Sequence, residues 1–127
     1  AMEVLYKSTG EYCKTREQFG QPIGKFQVLQ HRMVDMFMEH EQSKSLLFMA
    51  AIKMSSGDEA EKKRSISALK VQVGKSGRFV GQNAIQLHGG MGMTDELNIG
   101  HYFKRLTAIE TLFGNVDHHL KKYSNVA

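Results

Sequence analysis

Ile66, Leu69, Val73, Gly77, Val80, Ala84 and Leu87 follow one another at spacings of three and four without a miss. Steps of that size return to one face of a 3.6-residue turn, so the run predicts a long helix with a single face to bury. Only one proline, Pro22, interrupts the 127 residues, and the chain is rich in Met, Leu, Lys and Glu, which propagate helix well. An all-α fold follows. A first helix is expected over residues 1 to about 17, with Gly10 as its weak point. Residues 19–24 read as a turn, with glycines on both sides of the proline. A second helix is expected from about Gln27 to Ser56, with Leu29, Met33, Met36, Phe37, Leu47 and Met54 in an apolar stripe. Gly57 supplies its stop and Asp58 the cap of the third helix. After a glycine-rich loop, Thr94 or Asp95 can cap a fourth helix over about 96–111, and a fifth covers about 115–123. Short connections between long helices make this an antiparallel up-and-down helical bundle, a single domain over residues 1–127.

Gly74, Gly77 and Gly81 make a smooth groove on the third helix, at a cost of roughly 1 kcal/mol each relative to alanine. A helix tolerates that cost where a neighbour must come close. Packing against another helix is the expectation, and direct ligand contact the alternative.

Composition narrows the function. Hydrophobic residues at 41% and charged residues at 24% are globular values. The single cysteine, Cys13, excludes an internal disulfide and fits a reducing compartment. No run approaches the roughly 20 apolar residues needed to span a bilayer, and the first residues have no signal-peptide layout. A net charge of +4 would favour anionic partners, but the basic residues are interleaved with acids. The one tight run, Lys62-Lys63-Arg64, follows Asp58, Glu59 and Glu61 on a solvated first turn, so nucleic acid is not expected.

The six histidines do not form a metal site: there is no H-E-x-x-H, no C-x-x-C and no E-x-x-H of the di-iron bundles. Glu39, His40 and Glu41 cannot face one point, being about 100° apart around a helix. Two segments keep chemical interest. Gln86-Leu87-His88-Gly89-Gly90-Met91-Gly92 sets bare backbone directly after a helix, where a ligand can approach or a tight interhelical turn can form. It matches neither the dinucleotide fingerprint nor the P-loop, both of which need a preceding strand. At the end of the first helix, Arg16 offers a forked cation and Phe19 an aromatic face; as an isolated pair they read as a surface charge and a core plug.

Taken together, these elements resemble the C-terminal helical domain of the flavin-dependent acyl-CoA dehydrogenases, over nearly the whole chain. Arg16-Glu17-Gln18-Phe19-Gly20-Gln21-Pro22-Ile23, followed by Phe26-Gln27, looks like the family's R-x-x-F-G-x-x-I/L turn and the glutamine after it. The 86–92 segment is similar to its Q-x-x-G-G-x-G loop. The resemblance implies that Arg16, Phe19, Gln27, Gln86, Gly89 and Gly90 contact the adenine-diphosphate part of an FAD bound mainly by a neighbouring subunit. Asn115 falls where the family usually has a threonine that bonds to FAD. Also implied are an acyl-CoA substrate, an electron-transfer flavoprotein as acceptor, a homo- or hetero-oligomer built through helical faces, and a bacterial cytoplasmic location, with the mitochondrial matrix as the alternative.

The departure is Phe113. Many members carry there, just before the glycine matching Gly114, the glutamate that removes the α-proton, and phenylalanine cannot act as a base. Glu110, about one helical turn earlier, is the candidate replacement. The base can otherwise lie upstream of Ala1 or in a partner subunit. The stretch from Gly100 to His119 is most similar to the small subunit of two-component enzymes of the pimeloyl-CoA dehydrogenase kind. The family's N-terminal helical and middle β-domains are absent, so the chain is expected to be a piece of a larger three-domain enzyme. Alone it is expected neither to turn over acyl-CoA nor to hold FAD tightly.

Overall fold

A computed structural model describes residues 1–56, 58–94 and 98–125. Helix α1 (Met2–Thr15) leads into a two-stranded hairpin, β1 (Glu17–Gln18) and β2 (Gln21–Pro22), and a 3-10 turn over Ile23–Lys25. Then come α2 (Gln27–Ser56), α3 (Glu59–His88), a 3-10 segment over Gly89–Met93, α4 (Ile99–Thr111) and α5 (Val116–Asn125). The two 30-residue helices form an antiparallel hairpin about 45 Å long, whereas the 14 residues of α1 cover only about 21 Å of it. Leu5, Cys13, Met36, Val80, Ala84 and Leu87 meet in the half that α1 covers, and Ile99 and Leu106 close the core from α4.

α3 is the central helix, touched by the other four. Asp58 caps it as expected, its carboxylate accepting the Glu61 N–H at 2.7 Å. Its glycines serve close packing. A Cβ on Gly81 would stand 2.5 Å from Phe103 Cδ2, one on Gly77 3.3 Å from Leu106 Cδ2, and one on Gly74 2.6 Å from Val116 Cγ2. These contacts fix the direction of α4 and α5, which run back along α3 until His119 meets Ser67 and the Arg64 guanidinium lies 5.9 Å from the Tyr123 ring. Between α2 and α3, the Glu39 carboxylate accepts from Ser76 and Gln72, a polar seam that sets their register.

Several expectations are corrected. α1 stops at Thr15, two residues early, because Arg16 turns extended and its carbonyl accepts the Ile23 N–H at 2.8 Å, closing the hairpin. The hairpin loop is Phe19-Gly20, with φ of +53° and +79°, the signature of a type I′ turn. The α3 face is buried from Gly77 to Leu87 but not throughout: Leu69 and Val73 are half-buried in an open groove beside Met2, Leu47 and Phe48, and Ile66 is exposed. Of the six stripe residues on α2, only Met36 is buried, while Phe37, Leu47 and Met54 are exposed. For Met54 the cause is the mismatch in length, since the helical hairpin runs on past the start of α1, whereas Phe37 meets Tyr6 of α1 edge-on with its outer side in solvent and Leu47 lines the open groove beside Met2. Thr94 does not cap α4, because its hydroxyl donates to the Met91 carbonyl at 2.9 Å. Gly57, Asp95 and the expected start of the fourth helix at 96–97 lie outside the described residues. The fifth helix runs two residues longer than expected, to Asn125.

Candidate functional site

α1 and α3 end side by side, and one aromatic pair ties them. The Tyr12 and His88 rings stack at 4.3 Å with 27° between planes, and the Tyr12 hydroxyl donates to the His88 carbonyl at 3.4 Å. The buried His88 imidazole sits 2.8 Å from the Ala84 carbonyl through Nδ1, which therefore carries a proton. This histidine is thus a packed structural residue, and its neighbour Gly89 turns the chain out of α3 with φ +60°. The loop that follows has two sides. A Cβ on Gly92 would meet the Ile85 carbonyl oxygen at 2.9 Å, whereas one on Gly89 or Gly90 would meet nothing within 4 Å.

Arg16 at the end of α1, Phe19 at the tip of the hairpin, Gln27 at the start of α2 and Gln86 in the last turn of α3 all belong to this end and are exposed. Phe19 is no core plug: its ring is 91% exposed, touched edge-on by Phe26 at 6.2 Å. Arg16 forms no ion pair among the described residues. An unpaired guanidinium, an outward aromatic face, two carboxamides and open backbone suit a ligand that is flat at one part and anionic at another.

Glu110, Phe113 and Asn115 are not at that end. They occupy the α4–α5 junction opposite Gly74, fourteen residues from His88 and so about 21 Å away along α3. Glu110 is largely covered, with its carboxylate 2.9 Å from the Arg78 guanidinium. The two line a groove with Gly74, Gln82 and Asn115. The Asn115 Oδ1 accepts the His118 N–H at 2.9 Å and so caps α5, which leaves its NH2 as the free hydrogen-bonding group. Phe113 has φ +60° and is 91% exposed. A bulky residue held in that backbone region costs about 1–3 kcal/mol, so its surroundings must enforce it.

Three residues of this junction escaped the sequence reading. Lys70 and Arg78 flank Gly74 four residues to either side on the same face of α3, a spacing that could have marked them. His119 carried no such signal; its imidazole is buried, with Nε2 2.8 Å from the Phe113 carbonyl. Among the described residues no group of three or more His, Cys, Asp or Glu could hold a metal ion. Nor is any helix there long and apolar enough to cross a membrane.

Comparison with known proteins gives the family of the chain. The acyl-CoA dehydrogenase C-terminal domain family matches residues 1–124. The L-prolyl-[peptidyl-carrier protein] dehydrogenase of a Serratia species is 33% identical over 113 residues, which are 89% of this chain and 29% of that protein. The FAD complex of PigA superposes with a TM-score of 0.90 at 28% identity, covering 98% of this chain and 32% of the other. The ChsE4–ChsE5 complex from Mycobacterium tuberculosis gives a TM-score of 0.90 at 25% identity, covering 98% and 33%. The chain thus spans about a third of the length of the relatives it matches.

Proposed function

This chain belongs to the acyl-CoA dehydrogenase family, as its C-terminal domain, and on that footing we propose that it closes an FAD site in an enzyme that dehydrogenates the α,β bond of an acyl-CoA thioester. The observation that carries the reading is the bundle end where Arg16, Phe19, Gln27 and Gln86 stand exposed beside the open backbone of Gly89 and Gly90. These residues fit the adenine-diphosphate part of FAD. The guanidinium fork and backbone N–H groups match a pyrophosphate, and the Phe19 ring matches a flat base. They form one open wall, so the other walls come from a neighbouring subunit and from further domains of a three-domain protein. FAD, when bound, takes up the hydride that leaves the β-carbon. Asn115 offers its amide N–H from the second location.

The α-proton needs a carboxylate, and Phe113 supplies none. In the first reading Glu110 takes that part from the groove it shares with Asn115. A second reading is favoured by the Arg78 guanidinium 2.9 Å from Glu110, which already occupies that carboxylate in an ion pair. In it the domain is a non-catalytic closing and assembly unit of a heteromer, and the similar ChsE4–ChsE5 structure is itself a complex of two named proteins. Either way an oligomer is supported by the exposed Leu47, Phe48, Ile52, Met54, Ile66 and Leu120. An electron-transfer flavoprotein serves as the acceptor.

The test is to co-express the full-length protein with any partner subunit, record the bound-flavin spectrum and follow its bleaching by acyl-CoA thioesters. Arg16→Ala combined with Phe19→Ala should lower flavin retention at least tenfold; undiminished retention would refute the site. Loss of bleaching in Glu110→Gln, with flavin still bound, selects the first reading, and unchanged bleaching selects the second.

A further inference from the structure

Two side chains given no role above, Lys70 and His119, reach back to the turn at 112–114. Lys70 Nζ donates to the carbonyls of Ile109 at 2.9 Å and Leu112 at 2.7 Å, which α4 leaves open at its end. From α5, His119 Nε2 lies 2.8 Å from the Phe113 carbonyl. A carbonyl only accepts, so Nε2 carries the proton, and the ring's other nitrogen faces the buried Ser67 hydroxyl at 3.4 Å. Gly114, at φ +100°, leaves room for this arrangement: a Cβ there would collide with the His118 ring and stand 3.1 Å from His119 Nε2.

Successive carbonyls, those of Leu112 and Phe113, are therefore each held by a side chain from a different helix. Neither tie touches the Phe113 ring. Their joint effect is on the backbone, which they keep left-handed so that the ring points away from the protein. An exposed ring gains nothing by itself from this conformation, and a strained backbone held by two independent ties is what a presented side chain requires.

We propose that Lys70 and His119 are positioning residues that present Phe113 as an apolar wall against the acyl chain of the substrate. This rests on the acyl-CoA reading above. Phe113 then sets which acyl groups fit, and the two ties act only through it. Nδ1 of His119 is not part of the contact with Phe113, so glutamine, whose amide N–H can occupy the place of Nε2–H, should serve in its stead.

The test uses the full-length protein with its partner subunit, labelled with fluorophenylalanine, the Phe113 resonance being assigned by its loss in Phe113→Leu. In His119→Leu and Lys70→Met that resonance should shift or broaden. KM for acyl-CoA should rise at least fivefold with flavin content unchanged, and His119→Gln should restore both. Lys70→Met breaks one tie from a helix surface and keeps the test open if His119→Leu does not fold. An unmoved resonance in the folded variants overturns the positioning role. A resonance that moves while KM stays constant across acyl chain lengths overturns instead the placement of this turn at the acyl-CoA site.

Discussion

Alanine at two helical glycines should change stability in opposite directions. Both substitutions gain the helix propensity that glycine lacks, roughly 1 kcal/mol each. At Gly10, in the middle of α1, a Cβ meets nothing within 4 Å, so that gain should stand whole. At Gly74 the Cβ would sit 2.6 Å from Val116 Cγ2 and 3.3 Å from Glu110 Cγ. The first distance is about 1 Å short of ordinary carbon contact at 3.5–4.0 Å. Valine is branched at Cβ and stiff at χ1, so it cannot swing aside as a longer chain would. α5 must move outward instead, an overpacking cost of about 2–3 kcal/mol that outweighs the propensity gain and leaves a net loss of about 1–2 kcal/mol. The assay is urea unfolding of the 127-residue chain followed by helical circular dichroism, read as a midpoint shift at constant m. In thermal unfolding Gly10→Ala should raise Tm by about 4 °C and Gly74→Ala should lower it by about 4–8 °C. A Gly74→Ala protein as stable as Gly10→Ala would refute the seating of the α4–α5 junction on α3, and with it the location given to Glu110 and Asn115.

The Asn115 cap can be tested apart from any ligand: Asn115→Ala should cost about 1 kcal/mol in urea unfolding, while Asn115→Asp keeps the acceptor and should cost little. The Arg78–Glu110 pair is weakened by the exposure of Arg78, so Arg78→Ala should cost no more than about 1 kcal/mol, screened further by salt; a larger loss would mean the pair does more than line a groove. Burial pushes the Cys13 thiol pKa up, so the fold keeps a proton that the unfolded chain gives up first. That contribution to stability is whole below the ordinary thiol range and is lost as pH rises through the raised value. Ellman's reagent should accordingly react with Cys13 only after denaturant is added, and prompt reaction in the native protein would contradict its burial.

The helices were legible in the sequence because their signals are local: a 3.6-residue period, one proline and the Asp58 carboxylate placed to accept from Glu61. The hairpin was not, since Glu17-Gln18 and Gln21-Pro22 carry no β-branched residue and its turn puts phenylalanine where asparagine or glycine is usual. Periodicity also misjudged burial. It reports that Leu47, Met54 and Ile66 share faces to be covered, but not that this chain leaves them exposed. The sequence order of the candidate site residues does not reveal that they fall at two separate locations. Glu110 and Asn115 follow the glycine loop in sequence, yet α4 runs back along α3 and carries them about 21 Å from it. The glycines show why contacts had to settle the matter. Gly74, Gly77 and Gly81 are closed by side chains that a Cβ would meet at 2.5–3.3 Å, whereas a Cβ on Gly89 or Gly90 would meet nothing within 4 Å. In sequence one set lies within the helical pattern and the other directly after it, and each is only a missing side chain. Only the open set leaves backbone within reach of a cofactor, and it lies at the end of the bundle where Arg16 and Phe19 stand exposed. The proposed adenine-diphosphate contact therefore draws on that end, and the glycine groove on α3 belongs to the packing that holds the α4–α5 junction in place.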